Sequence, residues 1–374
     1  MLNRDIYLKD PSKVKLANEG VANVNDDATT QALAVLRYEL ETFVCDGQYA
    51  KGLEHILDTY LKNIDQLQQP AVWVSGFYGS GKSHFVKMLR ALWVDSVFED
   101  GATARGIAAL PEGVRDLLRE LSTQGKRYGG LRAASGTLGA GASGSVRLAL
   151  LRIVFKSVGL PEQEPQARFV IWLRKENIYE KVRQIVEENG GNWQEEIDSF
   201  YVAELLHEAL VHAKPGLFSS PATCADILIN LYPHRSDVSS DEMVKLILQA
   251  LTKDGKFPLT LIVLDEIQQF IGEDSLRSSD VQEMVEACCK QIGGKLLFVG
   301  TGQTAVTGTA NLKKLEGRFT IRIELSDADV DAVIRKVILA KKPEAVNAVK
   351  EVLQTNLGEI SRSSGRHDTL SSPG

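Results

Sequence analysis

Gly76-Phe77-Tyr78-Gly79-Ser80-Gly81-Lys82-Ser83 spells a complete G-x-x-x-x-G-K-S loop. The apolar run Ala71-Val72-Trp73-Val74 leads into it as a buried strand would. His84-Phe85-Val86-Lys87-Met88-Leu89-Arg90-Ala91-Leu92-Trp93 leads out with helical spacing. Backbone N–H groups can wrap a polyanion only where the chain reaches conformations and close approaches that a Cβ would block, and Gly76, Gly79 and Gly81 allow this. The first turn of the helix that follows adds unpaired N–H donors and the positive end of its dipole. Lys82 is expected to reach the β- and γ-phosphate oxygens, and the Ser83 hydroxyl to ligate Mg²⁺. The expected contacts to ATP are therefore Gly76, Phe77, Tyr78, Gly79, Ser80, Gly81, Lys82, Ser83 and His84. The competing reading, an ordinary glycine-rich turn, is disfavoured by the strand before the loop and the helix after it.

A second stretch supplies acids. Leu259-Thr260-Leu261-Ile262-Val263-Leu264-Asp265-Glu266 is a fully apolar run ending in two carboxylates, as a central parallel strand reads when it is buried on both faces and carries functional groups at its C-terminal edge. Asp265 is expected in the Mg²⁺ shell, and Glu266 as the group that orients or deprotonates an attacking water. Lys295-Leu296-Leu297-Phe298-Val299-Gly300-Thr301 reads as the next parallel strand, with Thr301 or Gln303 at its tip as a contact to the γ-phosphate or the water. A plain polar strand terminus remains the alternative there. Further on, Leu315-Glu316-Gly317-Arg318-Phe319 precedes the strand-like Thr320-Ile321-Arg322-Ile323-Glu324-Leu325. Arg318 either completes a neighbouring subunit's site with its planar fork or makes a structural ion pair.

Composition sets the frame. With 374 residues, 44% of them hydrophobic and 25% charged, the chain can bury a sizeable core in one large or two smaller domains. A net charge of −6 creates no global field for nucleic acid, although a local basic groove is compatible with it. Cys45, Cys224, Cys288 and Cys289 show no C-x-x-C or metal-ligand spacing, which points to a reduced, cytoplasmic setting. No apolar run approaches the length of a membrane span, and the charged start Met1–Asp10 does not read as a secretory signal.

Helical periodicity is visible near 30–46 and 49–63, from 110 to 122, and over 145–158, with a strand expected at 129–135. Gly139-x-Gly141-x-x-Gly144 formally matches a dinucleotide fingerprint, but no acid follows at a strand end, and the stretch reads better as a mobile or surface loop. Between about 166 and 255 the text is almost wholly helical, in four expected helices. His207 and His212 lie five apart in one of them, which is not the i, i+4 pairing of a helical metal site. From Lys82 to Asp265 is 183 positions, far beyond the roughly 30 residues of one βαβ unit, so a large helical insertion separates the two motifs. Asp327-Ala328-Asp329-Val330 opens a helix and another follows Pro343, while Ser361–Gly374 is polar: a disordered tail or the edge of a longer protein.

The order of phosphate loop, Asp-Glu strand, polar strand tip, Arg-Phe and helices resembles the AAA+ branch of P-loop ATPases. More narrowly, Trp73-Val74-Ser75-Gly76-Phe77-Tyr78-Gly79-Ser80-Gly81-Lys82-Ser83-His84-Phe85 is similar to the N-terminal ATPase region of the BrxC/PglY family of BREX bacteriophage-exclusion systems. Ile6-Tyr7-Leu8-Lys9-Asp10-Pro11 and Glu39-Leu40-Glu41-Thr42-Phe43-Val44 share in that similarity. The resemblance covers most of the chain and corresponds to the N-terminal third of much longer family members. It implies an α/β P-loop NTPase, AAA+-like, with a central parallel sheet, a large helical insertion and the start of a helical lid. The expected organisation is a helical element at 1–66, an ATPase domain at 67–325 with the insertion at about 160–255, a lid start at 326–360 and a tail at 361–374. The resemblance also implies a cytoplasmic antiphage role alongside a DNA methyltransferase and other BREX components; beside it, a homo-oligomer is expected and DNA is a candidate partner. Four activities fit to different degrees. An oligomeric ATP-hydrolysing motor or switch leads, with Glu266 favouring hydrolysis, and an ATP-gated scaffold with negligible turnover is the alternative. A phosphotransferase would need a clustered Arg/Lys lid that is not visible, and a DNA translocase a basic surface that the net charge does not provide.

Overall fold

The computed structural model describes residues 6–8, 29–138, 145–326 and 334–357. The Gly139–Gly144 stretch, the helix start at 327–330 and the 361–374 tail lie outside the described residues.

Five strands form one parallel sheet: β1 (Val72–Ser75), β2 (Leu131–Thr137), β3 (Leu259–Asp265), β4 (Leu296–Gly302) and β5 (Ile321–Glu324), in the order β2-β3-β4-β1-β5. The sequence explains why β3 and β4 are central. All seven residues of each are buried, which requires the unbroken Val/Ile/Leu/Phe text they carry rather than an alternating one. The register aligns Ser75 with Gly302 and with Glu324, and Leu264 with Gly300, so the C-terminal ends of β3, β4 and β1 lie side by side along one edge.

Because successive side chains point to opposite faces, the sheet has a core on each. Val72, Val74, Leu261, Val263, Leu297 and Val299 pack on the first face against the helices Gly47–Asn63, Lys82–Val94 and Glu112–Arg127. Trp73, Ile262, Leu264 and Phe298 point the other way, into a core shared with helices between 146 and 292. The helical region between β2 and β3 is therefore continuous with the sheet through one apolar core. Helix Glu112–Arg127 is typical of the covering elements. It buries Val114, Leu118, Leu121 and Gly125 at three- and four-residue spacing, with Glu112 in its first turn and Lys126 and Arg127 in its last, matching the macrodipole.

Local chemistry sets several boundaries that periodicity does not show. The pattern over 30–46 ends as a helix at Glu41, where the C-cap Thr42 turns its N–H and hydroxyl back onto the Tyr38 carbonyl, and a new helix, Gly47–Asn63, starts after the extended Asp46 (φ −143°, ψ 171°), whose carboxylate accepts from Gly47 N. The periodic run near 166–186 splits into Glu164–Lys175 and Tyr179–Glu188 at Asn177, which is left-handed (φ 56°). A short helix, Trp193–Asp198, begins at the cap Asn192, so the region expected to hold four helices holds six. Strand β2 lies two residues later than expected. His207 is buried, with its Nε2 2.9 Å from the Phe200 carbonyl oxygen. Among the described residues no helix is long and apolar enough to cross a membrane.

Candidate functional site

The glycine-rich loop leaves β1 at Ser75 and closes onto helix Lys82–Val94, whose N-cap is Gly81 in the left-handed region (φ 86°) with no side-chain cap. A Cβ on Gly81 would collide with the Tyr49 hydroxyl, and one on Gly76 would lie 2.9 Å from the Leu325 carbonyl oxygen. Only glycine fits either place. The N–H groups of Gly81, Lys82 and Ser83 donate to no acceptor among the described residues, so the loop and the first helical turn offer a set of free donors at a positive dipole end. Tyr49 donates its hydroxyl to the Ser80 carbonyl oxygen at 3.1 Å. Lys82 Nζ donates to the carbonyls of Gly76 at 2.7 Å and Phe77 at 2.9 Å, folding back over the loop. Burial holds the Lys82 pKa below its ordinary value, and the negative charge of Asp265 pulls it back up.

Across from the loop, β3 ends at Asp265, 5% exposed, beside Thr301 of β4, 2% exposed. Thr301 Oγ1 donates to Asp265 Oδ1 and accepts from Glu266 N at 3.0 Å, while Glu266 N also reaches Asp265 Oδ1 at 3.2 Å. Glu266 is a non-glycine residue with φ 61°, a conformation retained where surrounding bonds hold it, and here those bonds come from Thr301 and Asp265. Burial first, and the Asp265 charge second, raise the Glu266 pKa above the usual carboxylate value. Gln268, in the turn of helix Ile267–Ile271, accepts from Gln303 N at 2.6 Å and Thr304 N at 2.9 Å. Trp73 Nε1 donates to the Thr304 carbonyl at 3.0 Å. The tip of β4 is thus tied both to the acidic turn and to β1.

Loop and acids enclose a cleft of about 210 Å³ whose lining includes Tyr78, Gly79, Gly81, Lys82, Ser83, His84, Asp265, Glu266, Thr301 and Gln303. It sits at the C-terminal ends of β1, β4 and β3, with β4 between the other two, where the helix after β1 covers one sheet face and the helix after β3 the other, the kind of switch point at which open α/β sheets bind ligands. The expected site residues separate accordingly. Gly76, Phe77 and Ser80 shape the loop without lining the cleft; Ser80 is fully buried, whereas the Phe77 and Tyr78 rings are exposed. His84 packs edge-on against Phe43 at 5.7 Å, and burial lowers its pKa, with Glu39 acting in the opposite sense. Arg318 is not in the cleft. Its carbonyl accepts from Ala71 N, at the N-terminal edge of the sheet, and its guanidinium meets Glu286 Oε1 at 2.6 Å and Gln68 Oε1 at 3.3 Å.

Sequence reasoning missed Tyr49, Gln268 and Trp73. Tyr49 and Trp73 carry only the periodicity of core residues in the text, and the adjacency of Gln268 to Asp265-Glu266 was the one available hint. The cleft can chemically hold a polyanion by backbone donors and Lys82, with a hydroxyl and a carboxylate positioned for a hard cation and a second carboxylate beside them. The chain matches no protein-family model, and no solved structure matches it.

Proposed function

We propose that the chain is a P-loop NTPase of AAA+ type that binds ATP in this cleft and hydrolyses it. The observation that carries the reading is the set of free N–H donors at Gly81, Lys82 and Ser83, lining one cleft with Asp265 and Glu266 at the C-terminal ends of β1 and β3, two parallel strands that flank β4. A loop that needs glycine at Gly76 and Gly81, where a Cβ would strike the Leu325 carbonyl oxygen and the Tyr49 hydroxyl, joined to a lysine, suits phosphate oxygens.

In this reading the loop amides and Lys82 hold the phosphates and spread their charge, while Tyr78 and His84 border them. Ser83 and Asp265 hold Mg²⁺. A hydroxyl and one carboxylate are a sufficient protein contribution for this ion, which completes its shell with water and phosphate oxygens. Magnesium supplies charge neutralisation at the transferring phosphoryl group. Glu266 accepts the proton of the attacking water, and its raised pKa brings it closer to working pH, which suits a general base. Thr301 fixes both acids, and Gln303 presents its side chain at the same edge. Arg318, a strand length from its own cleft, serves a neighbouring copy in a homo-oligomer. The family proposal is the BrxC/PglY-type BREX ATPase, acting in the cytoplasm with other BREX components and with DNA. An ATP-gated scaffold with negligible turnover is the second reading, and the engagement of Arg318 by Glu286 within one chain favours it.

The test is Mg²⁺-ATP hydrolysis at increasing protein concentration for the wild type and Glu266→Gln. Turnover that rises with concentration and falls about 100-fold or more in the variant is expected, the scale of a lost general base. Binding without turnover in both proteins supports the scaffold, and no binding in the wild type overturns both readings.

A further inference from the structure

The hydroxyl of Tyr49 sits under the loop in a way that bears on one particular donor. Tyr49 belongs to helix Gly47–Asn63, outside the sheet, and is 6% exposed, with its ring edge-on to Phe85 at 5.5 Å and to Phe43 at 6.0 Å. Its hydroxyl donates to the carbonyl oxygen of Ser80. That carbonyl shares a trans peptide with the N–H of Gly81, and in a planar trans peptide the two point in opposite directions. A carbonyl anchored outward on Tyr49 therefore turns the Gly81 N–H toward the side on which Gly81 borders the cleft. The left-handed φ of Gly81 leaves this peptide without the steric guidance a Cβ would give, so the hydrogen bond is what selects its orientation.

We infer that Tyr49 is a positioning residue for the phosphate site: it aims the Gly81 N–H at the bound phosphates and thereby makes the N-terminal helical layer part of the nucleotide site. The inference rests on the ATP-binding reading above and goes beyond it in assigning the aim of one donor to a residue of a separate layer. Tyr49 does not line the cleft; it acts through the Ser80–Gly81 peptide.

The test uses protein labelled with ¹⁵N at glycine, titrated with Mg²⁺-ADP and followed both by calorimetry and by the amide resonances. In the wild type the Gly81 amide proton shifts downfield on saturation. In Tyr49→Phe, which keeps the ring and its packing, that shift is lost or reduced and affinity falls about 3- to 10-fold, the scale of one hydrogen bond. Phe43→Leu loosens the same aromatic cluster and leaves the hydroxyl in place, so it retains the Gly81 shift. Equal affinity and an unchanged Gly81 shift in Tyr49→Phe overturn the inference. So does a Phe43→Leu protein that loses the shift to the same extent, which would make the role one of packing alone. A wild-type Gly81 resonance that stays still while those of other loop glycines move overturns it without recourse to any variant. A wild type that binds neither ADP nor ATP removes the ATP-binding reading instead.

Discussion

Glu266 shows how one backbone setting serves two ends. Its φ of 61° turns the chain sharply at the end of β3, and its N–H, held by Thr301 Oγ1 and Asp265 Oδ1, keeps the turn in place. The same turn leaves the carboxylate partly shielded next to Asp265, so that its pKa rises. The sign of the consequence is fixed by linkage. A carboxyl whose folded pKa exceeds its unfolded value is favoured in its neutral form, so this group's contribution to stability is greatest at low pH and declines as pH rises from its ordinary value, 4.5, through the raised one. Hydrolysis needs the ionised base, so the acid limb of the turnover profile should lie above the ordinary carboxylate value, and Glu266→Gln should lower turnover about 100-fold or more and leave no such limb in the residual rate. A wild-type limb at or below the ordinary value contradicts the assigned base.

Strand β4 occupies the position on which the arrangement depends, between the loop-bearing β1 and the acid-bearing β3. Its glycines let neighbouring groups close in. A Cβ on Gly300 would lie 2.5 Å from Ile267 Cδ1 and 3.1 Å from Phe319 Cε1, so the helix after Glu266 packs directly on the strand backbone. Gly300→Val should destabilise the protein by about 1–3 kcal/mol through overpacking and displace the acidic turn, measured by denaturant unfolding together with turnover. Loss of turnover without loss of stability would contradict that packing argument. The legibility of the fold follows the same physics. Loop, acidic strand and following strand were readable because burial on both faces demands unbroken apolar text, and because phosphate wrapping demands glycine at fixed spacing. The break at Asn177 was not readable, since a left-handed asparagine looks in the text like any polar helix residue. Nor was the Tyr49–Ser80 bond, because a tyrosine at core spacing announces its packing and not the partner of its hydroxyl. The strand order was also out of reach, because β2 lies at the edge of the sheet while β4 intervenes between β1 and β3, and sequence order gives no sign of it.

At the scale of the whole molecule, two cores clamp the sheet, and the four cysteines are divided between them. Cys45 is in the core on the loop-helix face; Cys224, Cys288 and Cys289 are in the other. All four are free and buried. Burial pushes the Cys45 and Cys289 thiols up to about 12, with nearby Glu54 and Asp46 adding to the effect at Cys45, and it raises Cys224 and Cys288 as well. Since the thiolate is the nucleophile, none should react quickly at pH 8 in the folded protein, and all four should do so in denaturant, as counted by thiol titration. One fast-reacting thiol in native protein would show that the core around it opens readily. Both faces must stay packed for the sheet edge to hold loop and acids together, and the proposed ATP binding depends on that edge. The most direct test of that binding is calorimetric titration of Mg²⁺-ATP into the wild type and Lys82→Ala, with thermal unfolding of both. Saturable one-site binding is expected in the wild type, weaker by about 10- to 100-fold in the variant through the loss of charge-assisted bonds to phosphate, with little change in unfolding temperature. Equal affinity in the two proteins, or no binding in the wild type, would contradict the proposed site.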